Sequence, residues 1–569
     1  MPERELIVVK PTNNPNPDAA KILLFLLRQG LRGICFCNGR ATIKNLLATL
    51  RTEAASQKYP NIEGQTAIFY GGLTGERRSE IISGLQEGRM RCLLSTSALE
   101  AGIDLAELDF ALIRGWPGSL QGFRQRIGRA GRKQKGLAIF LPLERSPLDR
   151  YYAQHPELLL SAPAERVSFN ARYPVDLGKH LMCAAVESGI ENDRLKRYFG
   201  KTAPHIASAL LEQGALRKTR GRLWAKGFPH RDVNFRGGLG GSTVRLTNEQ
   251  TGEAIEEMSL EIAYREAFPG AIYRTQDSNG KMVTYRSLSL DVEARQATLQ
   301  PIPETSTYTV AESRTDTRIL QDLVAPKQLK LNLSEEEGNA FLRLSWGEVS
   351  HSISGYQVLV KEYEQTCLNR KCVNYREALP GRKFCPVCGR RSRRAELTKV
   401  VDEVEFEQPY AIRFTTPIAQ ISFDKVVNEY LQKCASRLLK EVESDSAIAG
   451  VLRDYPASLL GVHSFGHQIL AAFPLVVLGS LNDVNYIVEA RNSKDCVGYF
   501  YDLSESGNGS AEAIFRHLSK LARAGAALAR NCDCQYGCPK CLILSGCPDG
   551  NQALLKQMGL FLCDSIASM

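Results

Sequence analysis

Through the first 160 positions, short apolar runs alternate with stretches in which apolar residues return every three or four places. GICFC (33–37), TAIFY (66–70), RCLLS (91–95), FALIRG (110–115) and LAIFLP (137–142) read as strands, and LLATLRTEAASQ (46–57) and ERRSEIISGLQEG (76–88) as helices joining the first three. Such a succession implies a parallel sheet covered on both faces. Ligands of these sheets collect at the strand ends, so the informative loops are NGR (38–40), GG (71–72) and STSALEAGID (95–104).

Near residue 166 the texture changes. The helical patterns LGKHLMCAAVESG, ENDRLKRYFG and HIASALLEQG each end on a glycine, and a hairpin-like ALRKTRGRLWAKG follows with a basic tip at Lys218, Arg220 and Arg222. Helices closing on a basic hairpin look like a winged helix, although a small helical connector with a solvated turn has the same pattern. From 231 onward strand-like alternation (TVRLT, KMVTYRSLSLDV, YQVLVKEY) dominates until helical patterns return after about 420. The expected organisation is an α/β parallel-sheet domain over 1–165, a winged-helix-like domain over 166–230 and an α+β domain over 231–569.

A chain of 569 residues exceeds a single core, and its 43% apolar content is ordinary for a soluble protein. The run ILLFLL (22–27) is too short to span a bilayer and no signal peptide is apparent, so a cytoplasmic protein without a membrane partner is expected. Lysine and arginine outnumber aspartate and glutamate by 72 to 62, a formal +10, which suits a polyanionic partner.

FRQRIGRAGRKQK (123–135) concentrates basic residues on a predicted helix. Arg129 and Arg132, three apart, would share one face, and two planar forks pointing the same way repel unless an anion such as a polyphosphate neutralises them. The alternative is a solvated basic helix. Against it stand Gly128 and Gly131, each of which costs about 1 kcal/mol in a helix interior and permits close approach of another group.

Nine of the sixteen cysteines fall in two groups, 367–388 and 532–547. Without secretion that grouping favours metal over disulfide, while Cys35, Cys92 and Cys183 are expected to pack as small hydrophobes. Cys367, Cys372, Cys385 and Cys388 have the form of a zinc ribbon inserted over about 362–398; four thiolates leave no open position, so the metal should be structural. The adjacent Arg390, Arg391, Arg393 and Arg394 suit either phosphate or solvent. CDCQYGCPKCLILSGC (532–547) offers five cysteines for four places. Cys534, Cys538, Cys541 and Cys547 are expected to bind, with Cys532 spare, and an iron–sulfur cluster could use the same ligands. His463 and His467 are expected to be a satisfied core or surface pair, because no third ligand is apparent nearby. SESGNGS (504–510) has the look of a phosphate-cradling loop.

FYGGLTGERRSEIISGLQEG, LLSTSALEAGIDLAELDFALIRGWP and QRIGRAGR resemble, in that order, the signature motifs of the second RecA-like domain of superfamily 2 helicases. The resemblance implies that Arg129 and Arg132 act as arginine fingers toward a γ-phosphate. It implies that Gln125 and Arg126 sit beside the nucleotide or relay to the partner domain, and that Asp104 contacts ribose or helps couple the two sites. Thr96, Gly71, Gly72, Asn38 and Arg40 are then the positions that hold nucleic-acid backbone. Guanidinium groups stabilise charge on a transferred phosphoryl group, and hydroxyls and turn amides suit phosphodiester oxygens.

The matching P-loop half is not found in the sequence. The only GKT, Gly200 to Thr202, has Leu195 where a P-loop needs glycine, and Asp402 and Glu403 in VVDEVEFE lack the last residue of an acidic box. Both read as coincidences, so ATP and magnesium are expected to be shared with a P-loop RecA-like half. The carboxy-terminal cysteines, the winged-helix-like segment and REAFPGAIYR (265–274) are similar to the carboxy-terminal half of MrfA-type DNA repair helicases. This implies DNA as partner, 3′ to 5′ unwinding, and a winged helix and zinc-binding domain behind the motor; with the ribbon, zinc is expected at two sites. Three readings compete: a helicase half completed by a separate P-loop polypeptide, in DNA repair or defence against foreign DNA; a non-catalytic DNA-binding scaffold that retains a helicase-like surface; and a truncated gene product.

Overall fold

The computed structural model describes residues 4–12, 15–70, 73, 75–100, 107–131, 135–167, 173–233, 243–276, 282–333, 336–367, 379, 381–442, 447–479, 483–492, 494–504, 506–544 and 546–568. The first domain is a six-stranded sheet of β1 (Arg4–Val8), β2 (Gly33–Cys37), β3 (Thr66–Phe69), β4 (Cys92–Ser95), β5 (Phe110–Arg114) and β6 (Gly136–Leu141), in the order β1-β6-β5-β2-β4-β3. Every pairing is parallel. β2 and β4 are buried along their whole length because helices cover both faces. On one face Pro15–Arg28 and Arg40–Ser56 pack leucines and alanines against Cys35, Cys92 and Leu112; on the other Gly75–Gln86 and Leu120–Ile127 cover Phe36, Phe69 and Phe140. Cys35, Cys92 and Cys183 are buried, as expected of small hydrophobes. Edge strand β1 and helix Pro15–Arg28 were not among the elements read from the sequence pattern.

The winged helix is borne out. Helices Pro174–Glu187, Leu195–Phe199 and Ala203–Glu212 close on the hairpin Leu216–Thr219/Arg222–Ala225, which pairs with the short strand Ile190–Glu191. Its turn uses left-handed backbone at Arg220 and Gly221, and Leu216 and Leu223 point into the core. Gly200 to Thr202 form the exposed turn between two helices, consistent with a chance resemblance to a P-loop.

The remaining region joins a five-stranded and a six-stranded sheet through one apolar core that runs from Val244 and Tyr264 to Ile487 and Tyr501. Strands Glu336–Thr366 and Arg393–Phe423, each 31 residues long, pair along most of their length, from Ala340↔Phe423 to Thr366↔Arg393. The cysteine ribbon sits at the far end of this hairpin. Asp402 and Glu403 lie exposed along it, far in sequence from any strand-end loop of the first domain. At the near end helices Lys425–Glu441, Ala457–Val476, Ser510–Arg530 and Lys556–Ala567 pack over the sheet. Ala457–Val476 is long and apolar enough to cross a membrane by length and composition, yet it is the core helix, with 83% of its most apolar window buried among its neighbours.

Candidate functional site

The strand-end loops converge. Ser119 caps helix Leu120–Ile127 by accepting from the Gly122 amide at 2.9 Å, and the helix stops at Gly128. Arg129 therefore lies beyond the helix, and the expectation that it shares a helical face with Arg132 is corrected. The reason lies in the two glycines. Gly131 adopts φ +67°, and Gly136 packs so tightly against it that a Cβ there would come within 2.6 Å of the Gly131 Cα. The close approach that Gly131 permits is to Gly136, at the start of the chain's own β6.

Arg126 and Arg129 are buried, at 3% and 7% exposure. The Arg126 Nε donates to Glu100 Oε1 at 2.5 Å, its Nη1 lies 3.4 Å from Asn38 Oδ1, and its guanidinium sits 5.4 Å from the Phe36 ring centre. The Arg129 Nη2 donates to the Glu100 carbonyl at 2.5 Å. Asn38 closes the network by donating to the Trp116 carbonyl at 2.9 Å. Glu100, which sequence reasoning passed over, thus ties QRIGRAGR to the STSALEAGID loop. Its carboxylate in the otherwise neutral STSAL segment was the available signal. Thr96 is half-buried on that loop, Gln125 is exposed on the helix, and Arg40 opens helix Arg40–Ser56. Gly71, Gly72, Asp104 and Arg132 lie outside the described residues.

The second cysteine group forms a different set from the one expected. The sulfurs of Cys532, Cys534, Cys538 and Cys541 gather, with Cys532–Cys538 at 3.6 Å, Cys534–Cys541 at 3.3 Å and Cys538–Cys541 at 4.0 Å. A tetrahedral ion with bonds of about 2.3 Å holds its sulfurs about 3.8 Å apart, so the set fits a single zinc ion. Ligands of an iron–sulfur cube are spread around several irons and would stand farther apart. Cys532 belongs to this set and Cys547 does not: its sulfur lies instead beside His463 and His467. Two close pairs, Cys-x-Cys and Cys-x-x-Cys, were the sequence signal for the set that the fold gathers. The Lys556 ammonium, buried beneath the loop, donates to the carbonyls of Cys532, at 2.8 Å, and Cys534. Four thiolates around a divalent ion carry net negative charge, which this ammonium offsets.

In the ribbon Cys367, Cys385 and Cys388 come together, Cys367 and Cys388 with sulfurs 3.5 Å apart; Cys372 lies outside the described residues. Arg390, Arg391, Arg393 and Arg394 line an open cleft of about 890 Å³ beside it. The SESGNGS loop cradles an internal anion: the amides of Asn508 and Gly509 donate to Asp502 Oδ2 at 2.8 Å and that of Ala511 to Oδ1 at 2.6 Å. Burial pushes the Asp502 carboxyl up to about 7 despite those donors. A protein carboxylate thus fills the place that the sequence pattern offered to phosphate.

Comparison with known proteins gives the same order of domains. The chain matches, in order, the helicase conserved C-terminal domain over residues 18–134, the winged helix domain of ATP-dependent helicase HRQ1 over 170–238 and the MrfA Zn-binding domain over 465–542. It resembles the carboxy-terminal half of MrfA-type helicases. The crystal structure of the DUF1998 helicase MrfA bound to DNA has the same fold over 99% of this chain and 66% of that one, with 20% identity and a TM-score of 0.55. ATP-dependent helicase HRQ1 of Saccharomyces cerevisiae is 23% identical over 95% of this chain and 45% of its own length. The uncharacterized ATP-dependent helicase YprA of Bacillus subtilis is 23% identical over 94% of this chain and 62% of its own. The hrq1 helicase of Schizosaccharomyces pombe is 33% identical over 34% of this chain, but only 18% of its own length is covered. The chain spans less than two thirds of each of these curated relatives.

Proposed function

We propose that this chain is the carboxy-terminal half of an ATP-dependent superfamily 2 DNA helicase, translocating 3′ to 5′ in DNA repair or defence against foreign DNA. Its second RecA-like domain completes an ATP site whose P-loop and magnesium ligands belong to a RecA-like half outside residues 1–569. The observation that carries the reading is that the segments holding Glu100 and Arg126 meet at the carboxyl ends of a parallel sheet, where such sheets bind ligands. A γ-phosphate oxygen carries full negative charge and competes well with the neutral Glu100 carbonyl for the Arg129 guanidinium. Nucleotide binding across the two halves then draws Arg129 off that carbonyl and pulls on the STSALEAGID loop, which would link the nucleotide to the DNA track at Thr96, Gly71 and Gly72. Arg132 as second arginine finger, Asp104 at the ribose, and Gln125 and Arg126 beside the nucleotide complete the proposed roles. Zinc in the four-cysteine site is structural, since its shell is full.

The chain combined with its P-loop half is expected to show DNA-stimulated ATPase, and Arg129→Ala to abolish turnover by 10³-fold or more, roughly the worth of an arginine finger, while leaving DNA binding intact. A second reading, a DNA-binding scaffold without turnover, is favoured by the burial of both arginines in internal contacts. ATPase indifferent to Arg129→Ala would select it.

A further inference from the structure

We propose that His463, His467 and Cys547, with Asp549 as fourth donor, form a third, mononuclear zinc site beside the four-cysteine centre. The two histidines stand one helical turn apart on Ala457–Val476, so their rings project from one face. The rings meet edge to face with centres 4.6 Å apart, and the three ligand atoms lie within 4.8 Å of one another. His463 Nε2 is 3.5 Å from Cys547 Sγ. Bonds of about 2.0–2.1 Å to nitrogen and 2.3 Å to sulfur in a tetrahedron place those atoms about 3.6 Å apart. The Asp549 Oδ2 stands 3.7 Å from the same nitrogen, on a side chain exposed enough to swing inward.

The surroundings hold the donors as metal sites require. His467 Nδ1 donates to the Leu542 carbonyl at 2.9 Å, which fixes the ring and leaves Nε2 for the ion. Leu542 directly follows Cys541, so one residue braces both centres. The Asn551 amide donates to Cys547 Sγ at 3.3 Å, and the Asn551 side chain bridges both backbone groups of Leu544, at 2.9 and 2.8 Å. This clamps the loop that carries Cys547. Gly546, Cys547 and Pro548 also border a cleft of about 180 Å³ shared with Arg265, Thr315 and His351, which gives an ion a way in from solvent. One ion there would tie the loop after the four-cysteine centre to the core helix. This inference does not depend on the motor reading.

The test is metal analysis of the untagged chain, purified after expression with zinc. Cys547→Ser and His467→Gln are each expected to lower the zinc content by one equivalent relative to the unaltered chain, and unchanged content in both would overturn the proposal. Because His467 is buried and Cys547 half-buried, the unaltered protein supplies an independent readout, zinc-edge X-ray absorption. The ribbon and the four-cysteine centre contribute only sulfur. Imidazole scattering in the spectrum is expected from the third site, and a shell of sulfur alone would overturn it.

Discussion

The two cysteine loops use the same ligand chemistry in opposite surroundings. The ribbon hangs at the end of paired 31-residue strands, and among the described residues its own core amounts to Cys367, Leu379 and Cys385, with Cys388 packed against them. Around it Phe384 and Val387 are about 60% exposed and four arginines line an open cleft. The loop at 532–541 instead lies among the core helices. Lys556 anchors it from below, Lys540 donates to Glu144 of the RecA-like domain at 2.6 Å, and Arg150 of that domain donates to the Asn531 carbonyl at 3.0 Å. In the ribbon a metal stands in for a hydrophobic core too small to fold alone. In the inner loop an ion would rivet elements that already have cores, beside the contacts of Lys540 and Arg150 that join the loop to the RecA-like domain.

The difference should be largest in stability. Cys538→Ser removes a thiolate from the inner centre and leaves the Lys556 ammonium buried without its counter-charge, a loss expected to exceed about 3–5 kcal/mol. It should appear as a marked fall in thermal midpoint with loosening of the contact at Glu144. Cys385→Ser should open the ribbon locally and leave the global transition where it was. Equal falls from the two substitutions would break the comparison.

A smaller effect sharpens its buried side. Asp502 lies beneath the inner sheet and helices, fully buried, with its carboxyl raised from 3.8 to about 7 chiefly by burial. Because the folded state holds this proton more tightly than the unfolded chain does, the group's contribution is fully present below about pH 4 and is lost as the pH rises through 7. Asp502→Asn should flatten that part of the stability profile and, by leaving one of three backbone donors short of an acceptor, cost about 1–3 kcal/mol at low pH. Chemical denaturation between pH 4 and 8 measures both. A slope unchanged in the variant would assign the pH dependence to another group.

How much of this was legible follows the periodicity of each element. β2 to β6 are continuous apolar runs between helical patterns, and their loops carried recognisable motifs, so the first domain could be read strand by strand. Edge strand β1 alternates exposed and half-buried positions over only five residues and left no comparable signal. At the site the helical setting expected for Arg129 differs: the helix stops at Gly128, and beyond it Gly131 turns the chain against Gly136, a close approach no local pattern announces. Cys547 was placed with its sequence neighbours because its partners, His463 and His467, lie more than seventy residues away on a helix that reads simply as apolar. The amides of Asn508, Gly509 and Ala511 were visible as a cradle, whereas Asp502 as their occupant needed the fold.

The exposed side of the comparison yields the smallest effect on folding and a separate one on binding. Arg390, Arg391, Arg393 and Arg394 surround a cleft open to solvent, on a hairpin whose pairing does not depend on them. Replacing all four by serine should leave stability within about 0.5 kcal/mol. If the tip follows the phosphate backbone, the slope of log affinity against log salt on duplex DNA becomes shallower by about 0.9 for every phosphate the serines no longer neutralise. The variant should then bind more weakly at low salt and converge on the parent chain as salt rises. Titrations across a salt series read the slope directly. Identical slopes would detach the ribbon from the DNA path and leave its arginines to solvent or to another partner, while the inner cysteine loop and its contacts with the RecA-like domain would be untouched by the result.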